Sequence, residues 1–75
     1  MAYVVVATQT NGDGLPYLLG FGDCWVREYP DAQEFARLGV ATVAAHDVKP
    51  PAGTLVEIYE NYGLDSERVA YRVHR

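Results

Sequence analysis

One stretch of this 75-residue chain, Asp31 to His46 (DAQEFARLGVATVAAH), is long and regular enough to form a helix, and it leaves every other element to be strand or turn. Pro30 and Asp31 followed by Glu34 make a start signal. The Asp31 side chain accepts from the amide of residue 34 while Glu34 reaches back to the amide of Asp31, a capping box with Asp in place of Ser or Thr. On a helical wheel Ala32, Phe35, Ala36, Leu38, Gly39, Thr42, Val43 and His46 share one arc, and Gln33, Glu34, Arg37, Ala41 and Ala44 lie opposite. The first arc is expected to pack and the second to face water. Gly39 costs about 1 kcal/mol of helix propensity relative to Ala, so it is expected to mark a close approach to a sheet.

The flanking segments read as strands. Tyr3 to Thr10 is rich in β-branched residues and suits a central, covered strand. Asn11 to Pro16 (NGDGLP) is a turn-rich loop with the positive-φ residues a hairpin uses. Tyr17 to Phe21 and Cys24 to Tyr29 form a second strand region interrupted by Gly20, Gly22 and Asp23. Either these glycines make a turn between two short strands, which is preferred, or they mark a bulge in one bent strand. Beyond the helix, Pro50 and Pro51 stiffen a connector. Thr54 to Tyr62 places Val56 and Ile58 on one face and Glu57 and Tyr59 on the other. Arg68 to His74 alternates too, with Val69, Tyr71 and Val73 on one face and Arg68, Ala70, Arg72 and His74 on the other. The expected fold is α+β: a small antiparallel sheet of four to five strands in the order β-β-(β)-α-β-β, with one helix packed on one face and much of the other face solvated.

At this length residues 1–75 form a single domain with one small core. The hydrophobic share of 49% argues for a folded chain. Cys24 is the lone cysteine, so no internal disulfide staples the fold, which suits a reducing cytoplasm. The start MAYVVVATQT has neither a basic leader nor a run long enough to span a membrane. Six Lys and Arg against ten Asp and Glu leave a net charge of −4. That balance disfavours direct nucleic-acid binding and favours a basic protein partner, while also serving solubility.

Motifs for chemistry are sparse. Asp23, Cys24, His46 and Asp47 are the residue types of a thiol–imidazole site, but no family signature accompanies them, and a buried structural Cys with a helix-end His is the plainer reading. One Cys and the two histidines, His46 and His74, lack zinc-ligand spacing. NGDGL lacks the alternating acids of a calcium loop. The glycines match no phosphate-binding pattern. No enzyme activity, metal or cofactor is expected.

What remains is surface character. Six tyrosines and one tryptophan exceed what a small core holds, and both types are enriched where proteins meet. Tyr17, Trp25, Tyr29, Tyr59 and Tyr62 are the candidates, although small sheets also use aromatics as cross-strand pairs. Asp23, Glu28, Asp31 and Glu34 cluster about the helix start, and Glu57, Glu60, Asp65 and Glu67 about the last hairpin, where Arg68 and Arg72 can offset part of the charge by cross-strand pairing. The expected partner-binding set is therefore these eight acids with Tyr29, Tyr59 and Tyr62.

In size, acidity and layout, with the strand AYVVVATQT, the helix PDAQEFARLGVATVAA and the hairpin TLVEIYENYGLDSERVAYRV, the chain resembles the small phage-encoded anti-CRISPR proteins. The resemblance implies a non-enzymatic inhibitor that occupies a basic nucleic-acid-binding site of a CRISPR effector complex and blocks target DNA, acting as a monomer or homodimer. The alternative is a self-associating structural or accessory module of phage or bacterial origin.

Overall fold

The computed structural model describes residues 2–10 and 14–73. Five strands form one antiparallel sheet: β1 (Tyr3–Gln9), β2 (Tyr17–Leu19), β3 (Trp25–Val26), β4 (Thr54–Glu60) and β5 (Arg68–Arg72), in the spatial order β3-β2-β1-β4-β5. The single helix, α1 (Leu38–Asp47), lies against β1 and β4. This is the expected α+β architecture, with the valine-rich first strand at its centre. Val4, Val5, Val6 and Ala7 are buried whichever face they point to, as an uninterrupted apolar run requires.

The interruption at Gly20 to Asp23 is a turn, not a bulge. A short 3-10 turn, Phe21–Asp23, separates β2 from β3, and the Gly20 amide donates to the Cys24 carbonyl at 2.6 Å. Within the loop at 11–16, residues 11–13 lie outside the described residues, as does His74.

The helix begins seven residues later than expected. Tyr29–Asp31 is a separate 3-10 turn and 32–36 is largely extended. The cause is an open edge: β2 pairs with β1 only at Val6 and Ala7, leaving the N-terminal half of β1 in need of partners. Phe35 exchanges two 2.8 Å backbone hydrogen bonds with Tyr3, and the Gln33 amide donates to the Leu19 carbonyl at 2.9 Å. Sheet bonding thus takes the backbone groups a first helical turn would have used. Arg37 is the residue before the first turn, and no side chain caps it.

The helix phase also differs from the wheel. Ala41 and Ala45 are fully buried, whereas Val43 and Val40 are exposed. Apolar residues occupy the whole circumference of LGVATVAA, and the small alanines, not the valines, allow the axis to approach β1 and β4. Gly39 faces open space and marks no close approach.

The core has two halves. On the α1 side Val5, Ala7, Leu19, Phe35, Ala41, Ala45, Val48, Val56, Ile58 and Val73 pack together. On the far side Val4, Val6, Leu18 and Ala32 are covered by Val26, Tyr29, Tyr59 and Tyr62. The second face is therefore not broadly solvated: Tyr29 from the 3-10 turn and Tyr59 and Tyr62 from the end of β4 lie over it. A register shift between Ile58 and Tyr59 corrects the reading of β5 as well. Tyr71 pairs with Ile58 and Val69 with Tyr59, so Val69 and Tyr71 point to opposite faces.

Candidate protein-binding surface

Tyr59 projects from β4 beside Val4, on the face away from α1. Two left-handed residues, Asn61 (φ 57°) and Gly63 (φ 82°), then fold the chain sharply after β4, and Tyr62 between them turns back over the same face. Asn and Gly are the residues that enter this conformation at least cost. Bonds from the Asn61 amide to the Ala2 carbonyl (3.0 Å) and from the Gly63 amide to the Glu67 carboxylate (2.7 Å) hold the turn. Tyr29 arrives from the 3-10 turn, where Pro30 presets the backbone.

The three rings form one cluster. Tyr29 stacks on Tyr62 with centroids 5.6 Å apart and planes 15° from parallel, and Tyr59 meets Tyr62 edge-on at 5.4 Å. Both are favourable quadrupolar arrangements, worth about 0.5–1.5 kcal/mol each beyond the area they bury. All three rings are half-buried, so their outer surfaces stay accessible. The Tyr29 hydroxyl donates to Glu34 at 2.7 Å, and that bond, followed by burial and the Glu34 charge, pushes its pKa up to about 12. Burial raises the Tyr59 hydroxyl, with Glu57 and Glu67 adding to it, and burial with Glu67 raises Tyr62. All three phenols are held neutral in an acidic field.

The expected acids separate. Glu34 and Glu67 flank the tyrosine cluster, and both are exposed. Glu28 and Asp31 are exposed on the segment that carries Tyr29, and Asp65 is exposed in the turn that carries Tyr62. Glu57 and Glu60 are corrections to the set: both are buried, and neither belongs to an outward acidic surface. Their charges are met within the sheet, Glu57 by Arg72 at 2.7 Å and Glu60 by Arg68 at 2.5 Å, as the cross-strand reading of Arg68 and Arg72 expects. Glu60 also accepts from the Tyr3 hydroxyl on the α1 side, away from the cluster. Asp23 sits in the turn after β2, also on the α1 side.

Of the remaining aromatic candidates, Trp25 packs against the α1-side core and donates its indole N–H to the Lys49 carbonyl at 3.0 Å, while Tyr17 is capped by the Arg27 guanidinium 3.9 Å from its ring centre. Cys24 is exposed, not buried, and its thiol donates to the Gly22 carbonyl in its own turn. His46 pairs with Tyr71, 3.4 Å from ring nitrogen to hydroxyl. That contact escaped the sequence because it joins α1 to β5, two elements whose own patterns do not say which of them meet. Among the described residues no group of three or more His, Cys, Asp or Glu side chains is placed to hold a metal ion, and no helix is long and apolar enough to cross a membrane.

The surface is thus an aromatic patch of three contacting rings flanked by the carboxylates of Glu34 and Glu67. Such a patch can take guanidinium or ammonium groups by stacking them on tyrosine faces and pairing them with Glu34 and Glu67. Comparison with known protein families, with curated proteins and with solved structures gives no match to this chain.

Proposed function

We propose that this protein is a non-enzymatic, protein-binding inhibitor of the anti-CRISPR kind, which sets its Tyr29–Tyr59–Tyr62 face on a basic nucleic-acid-binding site of a CRISPR effector complex and so blocks target DNA. The observation that carries this reading is the joining of three tyrosine rings, Tyr29 from one segment and Tyr59 and Tyr62 from another, beside the exposed carboxylates Glu34 and Glu67. Neither carboxylate makes an ion pair with a described residue. Effector channels hold nucleic acid through Lys and Arg, which are the groups that this face accommodates. Tyrosines anchored by one another present contact area at little entropic cost on binding.

The test is affinity purification of the tagged protein from a bacterial lysate containing CRISPR effectors, washed at low and then moderate salt, with mass spectrometry of what is retained. Salt-sensitive recovery of an effector, lost in a Glu34→Lys, Glu67→Lys double variant, supports the reading. Recovery that is insensitive to those substitutions removes it.

One observation favours self-association instead: β5 is a free sheet edge bearing exposed Val69 and Tyr71. Its bulge and its two arginines blunt that edge. A stable homodimer disrupted by Val69→Lys would support this second reading.

A further inference from the structure

The α1 side of the sheet carries a second feature, independent of the tyrosine face. Between α1 and the turn after β2 runs an open groove of about 460 Å³, floored by Leu19 and Phe35 and walled by Val40 and Val43, with Asp23 on the turn and Asp47 on the helix. Val40 and Val43 are 55% and 61% exposed. β-Branched residues gain nothing in helix propensity, and here burial does not compensate. Together with Asp47 they follow a single helical stripe. Asp47 stands in the last turn of α1, where the negative end of the helix dipole disfavours a carboxylate. Neither Asp47 nor Asp23 makes an ion pair with a described residue. The groove thus joins an apolar floor to two carboxylates without cations, and it is open along its length, which suits a chain segment better than an enclosed small molecule.

We infer that this groove docks a short amphipathic basic segment of a partner protein, one that presents aliphatic side chains flanked by Lys or Arg. The aliphatic groups lie over Leu19 and Phe35 and take Val40 and Val43 out of water. The flanking cations pair with Asp23 and Asp47, and the second of these also offsets the helix dipole. Charge complementarity selects the basic segment over an acidic or neutral one.

The probe is a short acetylated peptide with two leucines one helical turn apart between pairs of lysines, titrated into the labelled protein and followed by amide NMR shifts. Saturable shifts confined to residues 19–23, 33–35 and 40–47 are expected, weakened by at least about tenfold in Val43→Ser and in Asp47→Lys, as for a central anchor and a paired charge. Both side chains are exposed, so the spectrum outside the groove reports that the fold is kept, and Asp23→Asn supplies the same test from the turn. The inference is overturned if a peptide with serines for leucines binds as well, if the shifts centre on Tyr59 and Tyr62, or if no saturable shifts occur.

Discussion

The Tyr29 hydroxyl and the Glu34 carboxylate are joined by a 2.7 Å hydrogen bond that spans the 3-10 turn and the extended segment after it. Glu34 therefore serves a phenol and not the amide of Asp31. A charge-assisted bond of this kind favours the neutral phenol. With the folded-state pKa raised from 10.0 to about 12, the associated stability is complete below pH 10 and is lost as pH rises through about 12. In an alkaline titration followed by tyrosinate absorbance, Tyr29 should ionise near 12, and Glu34→Ala should return it toward 10. An unchanged titration in that variant would place the cause elsewhere.

Two glycines should respond in opposite directions to alanine. A Cβ on Gly20 would meet the Asp31 carbonyl oxygen and a Val26 methyl at 3.1 Å and the Cys24 carbonyl oxygen at 3.2 Å, with backbone on two sides and little room to yield. Gly20→Ala should destabilise by about 1–3 kcal/mol through overpacking. Gly39 lies in the first turn of α1 and faces open space. Gly39→Ala should stabilise by about 0.5 kcal/mol, the helix-propensity gain reduced by its place near the helix end. Denaturant melts of the two variants check both signs.

Arg72 is mostly exposed while the Glu57 side chain it pairs with is only 9% exposed. Replacing Arg72 by Met leaves a nearly buried carboxylate without its cation and should cost about 1–2 kcal/mol, less than for a fully buried pair because water reaches the arginine side. Arg72→Met combined with Glu57→Gln should recover much of that loss. A double-mutant cycle measures the coupling.

Val43, which the helical wheel places on the packing face of α1, should matter far less than Ile58 on β4. Ile58, beside Val5 in the sheet, is fully buried on the α1 side, and Ile58→Ala should cost about 2–5 kcal/mol by cavity formation. Val43→Ala should fall within about 0.5 kcal/mol of the parent, because its side chain already meets solvent. Thermal or urea unfolding distinguishes these outcomes directly.

Much of the tyrosine surface was legible residue by residue. Tyr29, Tyr59 and Tyr62 stand out for their chemistry, but the left-handed turn that brings Tyr62 back over Tyr59 begins at Asn61, inside the stretch Thr54 to Tyr62 that reads as strand. The stacking of Tyr29 on Tyr62 was not legible, because it joins positions far apart in the chain through the pairing of residues 32–35 with β1 and β2. The removal of Glu57 and Glu60 from the acidic surface was half legible: charge alternation indicated the arginine partners, but not that both carboxylates are buried.

By itself the sequence determined the elements whose signals are local. The apolar run at Val4 to Ala7 demanded a covered central strand, the glycines at 20 and 22 an interruption that the structure resolves as a turn, and the alternation at Val56 to Tyr59 a two-faced strand. Only the tertiary structure decided where α1 begins, which of its sides packs, and how β5 faces. Each of these depended on a competition that local propensity does not contain. The open ends of β1 and β2 hold Phe35 and Gln33 in sheet pairing in place of a helical turn, the close approach to the sheet selected Ala41 and Ala45 over the valines, and a single extra residue in β5 reversed the side on which Val69 lies. Backbone hydrogen bonds left open by one segment must be satisfied by another, and that requirement outweighed a capping box worth about 1 kcal/mol.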